Sequence, residues 1–404
     1  MTPPSSNSAK PVYLDANATE PLRPSARAAL LKGLEVEGNP ASVHAPGRQA
    51  RALLEEARTR LAQAFGREAD SVVFTSGGTE ADSLAVHALG AVHGRRVILG
   101  ATEHAALHGA ARAEKVPTEI LPVDRAGRPD SARLREMLGG GPPALVCVMA
   151  ANNETGVVSP LAEIAAISRE TGAQLHVDAV QAAGRLPWGS RDWNAEVLRE
   201  ASLAVSGHKM GGVMGAGALI LPRDRPLMPL LPGGGQERGR RGGTPALPAL
   251  LAMVAALEES RAQDWQAIAG MRDELQARAV AAGALVAGVS AEEGVGEAAT
   301  ERLPNTLSLI LPGVSGQTQL MLLDLAGFAV SAGSACSSGK VTSSPVLEAM
   351  GYGAQAGQAI RVSLPWNVQP GEVQAFGQAY VEMAQRLRAR QPASSAGPGR
   401  DTGA

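Results

Sequence analysis

Between residues 72 and 221, short apolar runs bounded by turn residues alternate with stretches of helical periodicity, and few folds accommodate that pattern. The runs fall at 71–74, 96–99, 119–121, 144–149, 174–177 and 218–221. They are too short for helices, and too uniformly apolar for strands with one wet face, so they read as buried strands. Helical patterns at 79–92 and 161–171 lie between them. Strand and helix in turn predict an α/β fold, a mainly parallel sheet with helices on both faces, and ligands in such a sheet bind at the strands' carboxyl ends.

The flanking sequence completes the layout. Residues 47–65 carry apolar side chains at 50, 53, 54, 57, 61, 64 and 65, a one-faced helical spacing. A Gly/Arg/Pro loop at 229–248 precedes a long helical stretch, 249–282, and then a second α/β pattern that runs through Tyr380. We therefore expect a disordered start at 1–10 and a large domain over 11–260 whose first residues join the smaller one. A small C-terminal domain over 261–390 and a disordered Ser/Gly/Pro-rich tail at 391–404 complete the chain.

Charge and cysteine content narrow the function classes. With 37 basic and 39 acidic side chains in 404 residues, the chain has no global field for nucleic acid or an anionic membrane. No apolar run reaches the roughly 18 residues of a membrane span. The two cysteines, Cys147 and Cys336, provide neither a disulfide framework nor metal-ligand spacing. The expectation is a cytoplasmic protein without metal.

Several short motifs sit where chemistry is expected, and each has a plainer structural reading. At 74–80 a strand runs into glycines and a helix start, with Gly78 and Thr79 placed to hold an anion such as phosphate; alone, this is a tight turn with Thr79 as a cap. Asp178 ends an apolar strand and needs a partner, either a protonated ring nitrogen or an ordinary cap or salt bridge. Lys209, in Ser206-Gly207-His208-Lys209, lies among small residues at the sheet edge, where a lysine can lower its pKa and form an imine or simply be solvated. Ser206 and His208 beside it add donors for a phosphate. His104 ends another strand at the same rim. Cys336 lies in a small-residue stretch at 330–339 that predicts a mobile, exposed, reactive thiol, whereas Cys147 sits inside an apolar strand as a core residue. Arg361 interrupts a short strand and faces either an anion or a structural salt bridge.

Taken in order, these motifs resemble the cysteine desulfurases of the NifS/IscS type, within the aminotransferase class V group of pyridoxal-phosphate enzymes. The resemblance runs from Tyr13-Leu14-Asp15-Ala16-Asn17-Ala18-Thr19 through Gly38-Asn39-Pro40-Ala41-Ser42, residues 75–80, Thr102-Glu103-His104 and Asn152-Asn153-Glu154-Thr155-Gly156. It continues over residues 177–181, 206–209 and 233–244, the Cys336 loop and Ile360-Arg361-Val362-Ser363, covering about residues 11 to 385. It implies a fold-type-I pyridoxal-phosphate enzyme, with a seven-stranded sheet in the large domain. Lys209 would form the imine with the cofactor, Asp178 would face its pyridine nitrogen and Gln181 its ring hydroxyl. His104 would stack on the ring and exchange protons, and Asn153 would also contact the cofactor. Gly78, Thr79, Ser206 and His208 would hold the phosphate, with Thr244 supplied by the neighbouring subunit of a homodimer. Arg361 would fix the substrate carboxylate, helped by Asn39 and Asn153. L-Cysteine would become L-alanine, its sulfur passing to Cys336 as a persulfide and on to an acceptor protein for iron–sulfur clusters, thio-cofactors or tRNA thiolation.

Rival functions differ at identifiable residues. Simple amino transfer would not need Cys336 in its matching loop, selenocysteine lysis would need comparison of both amino acids, and a non-catalytic scaffold would have lost Lys209 or Cys336. Two departures from the family pattern are Val213-Met214, where Pro-Lys is frequent, and Ser83, where Asn is frequent; the tail after Arg390 does not resemble the family's acceptor-binding C-terminus.

Overall fold

The computed structural model describes residues 11–289, 301–332, 334–335 and 341–389. In chain order the strands are β1 (Val12–Tyr13), β2 (Val72–Thr75), β3 (Arg96–Gly100), β4 (Thr118–Leu121), β5 (Ala144–Met149), β6 (Gln174–Asp178), β7 (Ala201–Ser206) and β8 (Gly217–Ile220). They continue as β9 (Leu285–Val286), β10 (Thr306–Ile310), β11 (Phe328–Ala329), β12 (Ser331–Ala332), β13 (Ser334–Ala335), β14 (Val341–Thr342) and β15 (Ala359–Ser363).

Seven of them form the central sheet in the order β2-β8-β7-β6-β5-β3-β4. Only β8 runs against its neighbours, pairing antiparallel with both β7 and β2, so the sheet is mainly parallel as the sequence predicts. Five of its strands, β2, β3, β5, β7 and β8, are buried at every position, which is why all but β7, with its Ser202 and Ser206, read as continuous apolar runs rather than alternating ones. Helices cover both faces. Ala45–Ala64 and Leu161–Thr171 pack on one side with Val146, Val148, Val177 and Leu203, and Gly78–Ala85 and Ala105–Glu114 on the other with Val97, Leu99 and Leu145. Cys147 belongs to the second face, fully buried as expected.

The predicted helix at 249–282 is two helices, Leu247–Arg261 and Trp265–Ala281. The break has a local cause: Asp264 accepts from the N–H groups of Gln266 and Ala267, capping the second helix. The expected helix at 79–92 also divides, giving Gly78–Ala85, a wider turn at Val86–Gly90 and a short tight turn at Ala91–His93. Beyond the break, a four-stranded sheet in the order β12-β15-β10-β9 carries its own apolar cluster, including Leu307, Leu309, Ile360, Phe376 and Tyr380.

The first described residues bind these parts together. β1 pairs in parallel with β11, and Asp15 forms a parallel bridge to Ser363 at the end of β15. The segment then crosses to the large sheet, where Glu20 N–H donates to His208 O at 2.9 Å. No helix among the described residues is long and apolar enough to cross a membrane. No group of three or more potential metal-ligating side chains occurs among them. The terminal segments 1–10 and 391–404 lie outside the described residues.

Candidate active site

A cavity of about 560 Å³ opens where β3, β5, β6 and β7 end, the position an open parallel sheet favours for a ligand. Its lining brings together Gly78, Thr79, His104, Asn153, Asp178, Gln181, Ser206, His208, Lys209 and Arg361. These ten sequence-predicted residues come from segments as far apart as 78 and 361. Asn39 is placed elsewhere, exposed, with its side chain accepting from Ala41 N–H in a local turn. Thr244 is exposed in a separate recess of about 90 Å³ with Thr75, Ser76 and Arg241. Cys336 lies outside the described residues, although Ser331 and Ala332, which lead toward it, line the cavity.

Lys209 follows β7 through a tight turn at Gly207–Lys209. Its Nζ donates to the carbonyls of Asn17 at 2.7 Å and Ala18 at 2.9 Å. Burial, reinforced by Arg361 and Arg185, pushes its pKa down to about 8, while Asp15 and Asp178 pull the other way. The neutral amine is therefore within reach near physiological pH.

Asp178 closes β6 with its carboxylate buried, and its Oδ1 accepts from Val180 N–H at 2.9 Å. That bond is the local cap of the plainer reading. Burial, with the charge of Asp82 added, pushes its pKa up to about 7. Asp82, on the helix Gly78–Ala85, faces His176 Nε2 at 3.1 Å, and His176 Nδ1 meets Ser202 Oγ at 2.9 Å. Burial raises Asp82 to about 8 and lowers His176 to about 4, so burial disfavours the charged form of both members of this pair. Glu103 adds a third buried carboxyl; Oε1 accepts from Met149 N–H at 2.8 Å, Oε2 has no partner among the described residues, and burial holds its pKa well above the usual range.

His104 stands at the open lip, its Nδ1 accepting from Ala106 N–H at the start of a helix. The neutral ring consequently carries its proton on Nε2. Desolvation lowers its pKa, opposed by Asp178 and assisted by Lys209 and His108. His208 is lowered to about 4, by burial first and then by Lys209 and Arg185, and its Nδ1 meets Thr19 Oγ1 at 3.1 Å. Gln181 is tied in from both ends, donating to Asn17 O at 3.0 Å and accepting from Arg185, which also pairs with Glu20 at 2.7 Å.

At the helix start, Ser206 faces Gly78: a Cβ built on Gly78 lies 3.6 Å from Ser206 Cβ and 2.6 Å from Val180 Cγ2. Only glycine fits there. The first-turn N–H groups of the helix have no intrahelical acceptor, and the Thr79 side chain is beside them in the lining.

Sequence reasoning gave no role to Asp15, Asn17, Asp82, Glu103 or His176, all in or against this cavity. A signal existed for three of them. Asp82 lies one helical turn after Thr79, Glu103 immediately precedes His104, and His176 precedes Asp178 by two on the same strand face. Asp15 and Asn17 depend on long-range threading and carry no comparable local sign.

Comparison with known proteins gives a consistent picture. The profile of the aminotransferase class-V family matches residues 12–376. A cysteine desulfurase of Cereibacter sphaeroides is 39% identical over 390 residues, covering 94% of this chain and 97% of its own. A putative cysteine desulfurase IscS 1 of Bacillus subtilis is 35% identical, covering 93% and 99%. Among solved structures, a NifS-like protein from Rickettsia africae superposes with a TM-score of 0.81 at 28% identity, covering 93% of this chain and 99% of its own.

Proposed function

The chain belongs to the aminotransferase class-V family, among its cysteine desulfurases, and from that premise we propose that its cavity holds pyridoxal phosphate and removes sulfur from L-cysteine. The residues present fit that cofactor. The glycine-only helix start with Ser206 and Thr79 suits a phosphate, and the buried Asp178 suits a protonated ring nitrogen. The observation that carries the reading is Lys209: a half-buried amine held by two backbone carbonyls, with no carboxylate among the described residues bonded to it.

Bound there, pyridoxal phosphate supplies an aldehyde that condenses with amines and a ring that accepts the electron pair freed at the substrate α-carbon. The chain's own groups do the rest. Lys209 presents a partly neutral amine near pH 8. Asp178, ionised beside a protonated ring nitrogen, would keep that nitrogen charged, and Gln181 would contact the ring hydroxyl. Gly78, Thr79, Ser206 and His208 hold the phosphate, with Thr244 of a second copy completing the site in a homodimer. His104, kept neutral, takes up and returns protons at the cavity lip. Arg361 fixes the substrate carboxylate, with Asn153 and Asn39 as further contacts. Cys336 takes the sulfur: L-cysteine and the enzyme thiol give L-alanine and an enzyme persulfide, with atoms balanced and no external oxidant.

We also place the division between a large and a small domain near residue 260, supported by the helix break at 262–264 and the separate apolar clusters on either side. The persulfide sulfur passes to an acceptor protein for iron–sulfur cluster or thio-cofactor assembly or tRNA thiolation, in the cytoplasm. The test is to supply the purified protein with L-cysteine and a thiol reductant and assay sulfide and alanine together. Equal amounts of both are expected, with neither from Lys209→Ala; sulfide without alanine overturns the reading.

A further inference from the structure

Arg361 is already engaged by another carboxylate. Its Nη2 donates to Asp15 Oδ1 at 2.8 Å, its Nη1 to Asn153 O at 3.2 Å, and its buried Nε has no partner among the described residues. Asp15 is not a wandering surface side chain. Its backbone bridges Ser363, two residues beyond Arg361, and its carbonyl accepts from the Tyr13 hydroxyl at 2.9 Å. The Arg361 side chain is 8% exposed and that of Asp15 20%, so the pair is shielded yet reachable from the cavity both residues line.

An incoming α-carboxylate thus meets a pair of zero net charge and must settle beside a second carboxylate. An unopposed arginine at the bottom of such a cavity binds any small carboxylate well. Shared with Asp15, the same guanidinium favours a ligand with a further anchor. Lys209 offers one, because amine exchange there secures an amino acid and does nothing for a plain acid. Asp15 also acts on that anchor through its charge, which raises the Lys209 pKa against the burial that lowers it.

We propose that Asp15 is a specificity-determining residue that competes with the substrate carboxylate for Arg361, weakening simple carboxylates so that only ligands also engaging Lys209 are held firmly. This rests on the reading that Arg361 receives the substrate carboxylate. One guanidinium brings two carboxylates to roughly 5 Å, and with the screening of a partly buried site their repulsion amounts to about ten-fold in Kd.

The probe is 3-mercaptopropionate, which has the carboxylate and thiol of cysteine but no amine. Its Kd is measured by calorimetry on the cofactor-loaded protein, the parent beside Asp15→Asn, Asp15→Ser, Asp15→Glu and Arg361→Gln. Both uncharged replacements are expected to bind about ten-fold tighter, and Asp15→Glu to stay within about three-fold of the parent. A structural role alone predicts weaker binding instead. Unchanged or weaker binding in both Asp15→Asn and Asp15→Ser overturns the proposal while leaving Arg361 in place. If Arg361→Gln itself leaves Kd unchanged, the carboxylate reading of Arg361 falls, and the role of Asp15 with it. For L-cysteine turnover by Asp15→Asn, the expected signature is a fall in KM larger than any change in kcat.

Discussion

Two residues of one kind, Cys147 and Cys336, take opposite parts in the proposed chemistry. Cys147 is fully buried in β5, and burial drives its thiol well above the usual range, so it is a packing group with no access to a substrate. Cys336→Ser is expected to abolish persulfide formation while the cysteine-induced change in cofactor absorbance persists, because Lys209, Asp178 and Arg361 are untouched. Cys147→Ser should keep sulfide production and lose about 1 kcal/mol or more of stability through its buried hydroxyl. Mass spectrometry of a sulfur-labelled intermediate separates the two, and label on Cys147 contradicts the assignment. Asp178 gives a second prediction, on the cofactor-free protein. The folded state keeps its proton up to about pH 7, against 3.8 for an ordinary aspartate, so it binds more protons than the unfolded chain between those values. The contribution is present below about pH 4 and lost as pH rises through 7. Asp178→Asn keeps the acceptor for Val180 N–H and has no proton to lose; it should melt roughly 2–6 °C above the parent at pH 8, the difference vanishing toward pH 4. Residues of this kind were legible in part. A lysine after a strand and an aspartate ending one announce themselves, whereas the carboxyls of Asp82 and Glu103 look like ordinary helix and loop charges until burial is known.

At the level of elements, apolar runs located six of the seven strands of the large sheet to within about one residue, and for β2, β3, β5 and β8 uniform burial is the reason, whereas β4 is exposed at its first three positions. The helices were less legible. The 249–282 stretch has no Gly or Pro at the Asp264 cap to mark its break, and 79–92 hides the wider turn ending at Gly90, whose missing side chain brings it against Leu145 and Val97. The turn from β2 into the helix Gly78–Ala85 is the element with the sharpest test. Gly78→Ala forces its new methyl into the Val180 side chain, 2.6 Å away, so the helix start and Val180 must move apart. The expected result is at least ten-fold weaker pyridoxal phosphate binding, read by fluorescence titration of the cofactor-free protein, with little change in far-ultraviolet circular dichroism. The loop over 233–244 shows a different economy. Glu237 and Arg238 adopt left-handed backbone conformations, φ 49° and 58°, unfavourable for side-chain-bearing residues. What offsets the strain is the buried Glu237 carboxylate, which accepts two bonds from Arg58, at 2.6 and 2.8 Å, and one from Phe74 N–H at 2.9 Å.

For the whole molecule, that pinned loop presents an exposed Thr244 in a recess separate from the cavity of its own chain. A second copy is the natural recipient, and the protein is expected to be a dimer whose specific activity falls on dilution below its dissociation constant. Sedimentation and activity measured across the same concentrations check this, and a fully active monomer contradicts it. Such assembly leaves little trace in periodicity, and neither does the threading of residues 12–20 between the two sheets, which depends on partners hundreds of positions away. That threading bears on biosynthesis. Asn17 N–H donates to Ser363 Oγ, 346 residues further on, and the carbonyl of the same Asn17 holds the Lys209 amine. At translation rates of about 5–20 residues per second, the early segment waits roughly 20–70 s for that strand to emerge. A ribosome-bound chain stopped short of residue 363 therefore carries Lys209 without its complete surroundings, and the reactive pocket closes only when synthesis is nearly finished.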